Sequence, residues 1–272
     1  MNPRDAARTT MVFAQREFAT LLRTRTIAVL ALGYFVVLLG LVVGAGTSGY
    51  LPLTLDLMRP VEVLVPILAF AFGYRAIMAD AERGELETIR TYPVSRPTFV
   101  AGVYLGRLAG FLSVVLAPLL VAGALVIFSP ADQVTVIAAH ETIDTPAIYL
   151  RFVTLTAGFG LVTLAIATAV SAVARSTREA LALVSVLFIS LVIGFDASIV
   201  AALSGGIISP GQVEPLLAFS PNSAYRGLVL TLAVGEAFTR GAAAGSPLAN
   251  VFGLASWFAV SLGVAVRTVW DS

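Results

Sequence analysis

Seven charged residues fall within positions 79–98, the stretch ADAERGELETIRTYPVSRPT: Asp80, Glu82, Arg83, Glu85, Glu87, Arg90 and Arg96. Only 12% of the 272 residues are charged, so the island stands out against a sparse background. Carboxylates and guanidiniums at this density offer ion pairs to a partner surface. No catalytic constellation accompanies them. A second candidate is His140 with Asp132, Glu141 and Asp144 in segment 129–147, which holds no Arg. One His on a polar loop reads as solvated rather than as a ligand, and no metal site is expected there.

Absences narrow the chemistry further. All 17 basic residues are Arg and there is no Lys, which removes a phosphate-binding P-loop and Schiff-base chemistry. There is no Cys and only one His, so a disulfide framework, thiolate metal site or multi-histidine site within one chain is ruled out. Met1, Met11, Met58 and Met78 lie too far apart in sequence for a thioether relay. A net charge of +1 leaves no electrostatic footprint for nucleic acid, and no such partner is expected.

The chain is 58% hydrophobic with a mean hydropathy of +0.93, against about half apolar and a quarter charged for a soluble domain. This composition specifies an all-α integral membrane protein. Six apolar stretches reach the roughly 20 residues that a spanning helix needs: 27–46, 61–79, 100–128, 148–174, 180–203 and 249–266. Thirteen Arg fall on one side of this layout, among them Arg4, Arg8, Arg83, Arg96, Arg175 and Arg267. Four fall on the other: Arg59, Arg151, Arg226 and Arg240. That asymmetry places both termini in the cytoplasm of a multi-pass protein of the cell membrane. Residues 1–26 read as an amphipathic interface helix rather than a cleaved signal, with Met11, Phe18, Leu21 and Leu22 on its apolar face. Residues 27–272 form the six-helix domain, with 80–96 as a short charged helix between spans two and three.

Smaller signals place the remaining candidates. Gly102, Gly106 and Gly110 form a small-xxx-small stripe on span three, and Gly40 with Gly44 repeats the spacing on span one. Glu62, Arg75, Arg107, Arg151 and Asp196 are ionisable groups near span ends. Glu62 and Arg151 open their spans, Arg75 and Arg107 reach the inner interface by snorkelling, and no buried relay of charges is expected. Gly84 bends the charged helix, Pro93 stops it, and Pro97 suits the first turn of the next. Segment 204–248 carries apolar runs with Pro210, Pro215 and Pro221, which predicts short broken helices at the outer leaflet.

The charged loop resembles that of ABC-2 type permeases. The pattern E-R-G-E-L-E, followed by P-V-S-R, is similar to the family's E-x-G-T-L-E … P-V-S-R between spans two and three, and it covers Glu82, Arg83, Gly84, Glu85, Leu86, Glu87, Pro93 and Arg96. Six spans, cytoplasmic termini and an interface helix fit a type V exporter-like permease. The resemblance implies that this loop is the coupling helix and docks on a separate ATPase subunit, which binds ATP and Mg. It also implies a homodimer, no catalytic residue and no cofactor on this chain. Glu85 stands where Thr is usual, Thr88 and Arg90 where leucines are usual, and Val103 where a Lys follows Gly102.

GYRAI, TYPVSR and FSPNSAYRGL further resemble the NosY-type branch, permeases of nitrous oxide reductase maturation. That branch implies a NosF-like ATPase, a NosD-like extracytoplasmic protein, and Pro221, Tyr225, Arg226 and Asp196 as an outer partner contact or gate. It also implies a link to copper. The missing soft ligands argue that copper does not pass through this chain, which would transmit force or move a non-metal species. A general ABC-2 exporter of a lipid, drug or ion is the alternative within the class. An ATPase-independent scaffold or carrier is the alternative outside it. The outer segment reads equally as a lid over a substrate path.

Overall fold

A computed structural model describes residues 3–46, 49–128, 144–235 and 246–270. It is all-helical, with no strand among the described residues. Helix α1 (Pro3–Arg23) precedes α2 (Arg25–Ala45), α3 (Tyr50–Gly73), the short α4 (Met78–Glu82) and α5 (Glu85–Arg90), and the long α6 (Arg96–Val126). Then come α7 (Pro146–Val173), α8 (Thr177–Ile189), α9 (Phe195–Ser204), α10 (Pro210–Phe219), α11 (Pro221–Leu228) and α12 (Pro247–Thr268). Single π-helical turns, Ser190–Gly194 and Val229–Ala233, join α8 to α9 and extend α11. Six units are long and apolar enough to cross a membrane: α2, α3–α4, α6, α7, α8–α9 and α12.

The core is built around α3 and α7. In each, 67% of the most apolar window is buried inside the chain, against 17% for α2 and 11% for α8–α9. Gly73 lets α3 meet α7 closely, because a methyl there would collide with Ala167. Phe72, Phe111, Phe152, Phe159 and Leu119 are fully buried in the central cluster.

The glycine stripe of α6 seats α1 rather than another span. A methyl on Gly102 would strike Phe13, on Gly106 the Ala14 carbonyl, and on Gly110 the Leu21 side chain. Leu21 and Glu17 are buried on this face, while Met11, Val12 and Leu22 remain exposed on the others. The same spacing on α2 seats no helix among the described residues, since a methyl on Gly40 or Gly44 would meet none of them within 4 Å.

Span two departs from the sequence expectation. It starts eleven residues earlier, at Tyr50, and runs through Pro60 and Pro66. Asp56, Arg59 and Glu62 give this stretch the local polarity of a loop, but a distant cap extends the helix. The Asp144 carboxylate accepts from the Tyr50 and Leu51 amides at 3.1 and 2.7 Å, satisfying donors that a helix start leaves open. Glu62 consequently lies in mid-helix rather than at the span's opening. In the later segment, Pro210 and Pro221 begin α10 and α11, whereas Pro215 lies inside α10.

Replacing Gly106 by Leu should dislodge α1 and lower thermal stability in detergent by about 1–3 kcal/mol or more, the usual cost of overpacking. Gly44→Leu, into open space, should leave the unfolding midpoint of the isolated chain unchanged.

Candidate functional site

The charged island folds into a hinge, two short helices and a corner. After α3 the chain turns at 74–77, and the Ser171 hydroxyl of α7 accepts from the Ile77 and Met78 amides at 2.9 and 3.1 Å. Gly84 then takes φ 71°, a left-handed conformation that suits glycine, and breaks α4 from α5. Ser95 caps α6 by accepting from the Thr98 amide, with proline in the first turn. Leu86 points inward, 4% exposed, into a cluster with Ile77, Phe99, Val100, Val103 and Val269. Val103 stands where the family pattern has a Lys, and here it is fully buried among apolar neighbours, a place unsuited to a cation.

Five of the island's seven charges are used within the chain. Asp80 is 2% exposed and accepts from Arg16 and Arg83, both at 2.6 Å. Arg16, on α1, also reaches Glu17 at 2.9 Å and Glu85 at 3.3 Å, so one guanidinium ties α1, α4 and α5 together. Burial alone would lower the Arg16 guanidinium, but Asp80 and Glu17 outweigh it and hold the group above its ordinary value. Arg83 is raised chiefly by its hydrogen bond to Glu85. Glu82 accepts from Arg75 at 2.9 Å and from the Thr177 hydroxyl at 2.9 Å, joining the hinge to the start of α8. Arg96 donates to the Arg267 carbonyl at 2.8 Å. Glu87 and Arg90 face outward with no ion pair to the described residues, beside exposed Tyr92 and Pro93.

Arg107 does not snorkel. Its side chain is 13% exposed and turns inward to Glu17 at 3.0 Å and to the Phe72 carbonyl. Together with Asp80 it forms a buried ion cluster, contrary to the sequence expectation. Glu17 is hidden in the sequence because it looks like one more polar residue on an amphipathic helix. Its position on the face that meets Gly106 is the signal that marks it.

A second cluster forms midway along α3, around Glu62. Arg226 of α11 pairs with Glu62 at 2.6 Å and with Asp196 of α9 at 2.9 Å. Arg59 also reaches Glu62, at 3.3 Å, and the Ser223 hydroxyl donates to Asp196. The Asn222 amide donates to the Glu62 carbonyl at 3.1 Å. Tyr225 is fully buried, stacked on Phe159 at 4.6 Å and hydrogen-bonded to Thr156 at 2.9 Å. Pro221 is buried as well. Of the four residues assigned to the outer end, Arg226 and Asp196 meet directly, while Tyr225 and Pro221 anchor α11 from below. Asp132, His140 and Glu141 lie outside the described residues.

The arrangement joins elements: paired charges hold α1, α4 and α5 together at one cluster and α3, α9 and α11 at the other. Comparison with known proteins gives a concordant picture. The family model described as "ABC-2 family transporter protein" matches residues 51–269. A Pseudomonas aeruginosa protein named "probable ABC transporter permease protein NosY" is 30% identical over 265 residues, covering 92% of this chain and 91% of that one. A Stutzerimonas stutzeri protein of the same name is 26% identical over 225 residues, 78% of each chain.

Arg226→Met should leave Glu62 with Arg59 alone and Asp196 with the Ser223 hydroxyl alone, and cost about 1–3 kcal/mol, the usual cost of removing one partner of a buried polar group. The double variant Arg226→Met with Glu62→Met should recover part of that loss. Thermal unfolding of the four members of the cycle reads the coupling.

Proposed function

The chain belongs to the ABC-2 family of transporter proteins, and we propose that it is the membrane-spanning subunit of a system driven by a separate ATPase. The reading rests above all on one observation: at the corner before α6, Glu87, Arg90 and Tyr92 project outward while the rest of the island is tied inward. A surface of this kind suits a cytoplasmic NosF-like partner that hydrolyses ATP with Mg. The Arg asymmetry supports cytoplasmic termini in a cell membrane, and two copies of a six-span chain would complete the transporter as a homodimer. Motion delivered to α5 passes to α4, across the Ser171-pinned hinge into α3, and through Glu82 to the start of α8.

The relatives named NosY support a role in nitrous oxide reductase maturation, with a NosD-like protein at the opposite face. Copper would then be handled elsewhere in the system. The chain has no Cys and one His, and no three His, Asp or Glu side chains gather as a metal site among the described residues. Force transmission to an outer partner, or movement of a non-metal species, fits this composition best.

Reversing the outward charges together, Glu87→Arg with Arg90→Glu, should abolish co-purification of the ATPase subunit. If these charges are enclosed on docking the loss is about 2–5 kcal/mol, and if they stay at the rim it shows mainly in salt dependence. Unchanged co-purification at low and high salt would sink the docking assignment.

A further inference from the structure

Between α1, α2, α3 and α8, at the end that carries the charged island, lies a cavity of about 580 Å³. Leu30, Ile67, Phe70 and Phe188 make its wall apolar. Arg75, Arg83 and Arg107 line it too, with Thr20, Thr24 and Thr26. No acidic residue is part of that lining among the described residues. The carboxylates that pair with these guanidiniums, Glu82, Asp80, Glu85 and Glu17, are not among the lining residues. The cavity therefore has cationic residues in its wall and their compensating anions outside it. Each guanidinium has five N–H donors and spends only part of them on its carboxylate, so donors remain for an additional acceptor. From Thr24 to Leu30 the wall rises roughly 9 Å along the helix, changing from polar to apolar. Its flanking helices α2 and α8–α9 are the least buried of the six spans, so the cavity adjoins a side that the chain itself leaves uncovered.

We propose that this cavity binds an anionic phospholipid, with the phosphate at Arg75 and Arg83 and the upper acyl chain against Ile67, Phe70 and Phe188. Basic pockets between spanning helices at the cytoplasmic side are suited to anionic head groups, and guanidinium–phosphate pairs are the stronger, charge-assisted kind. A water-soluble phosphate would leave the apolar wall unfilled, and a zwitterionic lipid would bring its choline cation to the same guanidiniums as its phosphate, offsetting the attraction. Assigning the leaflet as cytoplasmic rests on the proposed orientation; the binding does not.

Native mass spectrometry of the purified full chain, delipidated and titrated with phosphatidylglycerol or with phosphatidylcholine of the same chains, tests this. Wild type should retain phosphatidylglycerol at a concentration at least about fivefold lower, the value of one charge. Arg75→Gln should weaken phosphatidylglycerol about fivefold and leave phosphatidylcholine alone. Val184→Trp, which fills the cavity without touching the charges, should remove the preference. Equal retention of both lipids by wild type overturns the proposal, and that comparison needs no variant to fold. Displacement of the lipid by millimolar inorganic phosphate, or undiminished retention by a folded Val184→Trp, overturns it as well. Co-purification of the ATPase subunit in the same preparations reads the docking assignment separately.

Discussion

A carboxylate sealed from solvent must find a cation, and Asp80 finds two. Much of the structure at that end follows from this requirement. Arg16 must come from α1, so α1 must lie against the bundle rather than trail along the membrane surface. Lying there requires a groove, which Gly102, Gly106 and Gly110 supply on α6. Once α1 is seated, Glu17 is carried inside and needs its own cation, which Arg107 provides. Arg16 is the shared member, since it pairs with Asp80 and Glu17 alike, and removing it weakens the compensation of two buried carboxylates at once. The cluster thus fixes the angle of α4 and α5 more firmly than the modest burial of Leu86, worth about 1.5–3 kcal/mol, would alone.

The same logic recurs midway along α3. Glu62 lies roughly 17 Å from Gly73, the last residue of the helix, along the helical rise, and it too is shared between cations of different elements. Ion pairs thus hold α3 at its middle, and the turn at 74–77 ties its end to the Asp80 cluster. Arg226 contacts carboxylates on both α3 and α9 and so joins the two. The π-helical turns Ser190–Gly194 and Val229–Ala233 lie in the segments beside this joint. Single π turns are frequent where helices serve function.

The six spans, the bend at Gly84, the stop near Pro93 and the proline in the first turn of α6 were legible because each rests on a local signal: apolar length, glycine conformation or the missing proline donor. The start of span two was not, because it depends on Asp144, more than ninety positions away. Arg107 misleads for a similar reason. Its distance from the span end suggests snorkelling, but Glu17 on a separate helix draws it inward. Glycine spacing marks a close helix contact on α6 and does not say which helix fills it. On α2 the same spacing meets nothing among the described residues. Pattern reports that a face is able to pack, while the partner is a property of the whole fold.

The departures of this chain from the family pattern separate into two kinds once the contacts are known. Glu85, where Thr is usual, pairs with Arg16 and Arg83 and belongs to the internal joint. Thr88 and Arg90, where leucines are usual, face outward. A polar partner surface therefore does not have to match all seven charges of the island. Asp80, Glu82, Arg83 and Glu85 are already matched within the chain, and Arg96 bonds the Arg267 carbonyl. What remains for a partner is one carboxylate, one guanidinium and the exposed ring of Tyr92. A nearly neutral strip of this kind gains little from long-range attraction, and aromatic and Arg side chains are the types that most often anchor interfaces. The proposed docking at this corner is thus better understood as seating Tyr92 and Arg90 in a shaped recess than as the meeting of two oppositely charged faces.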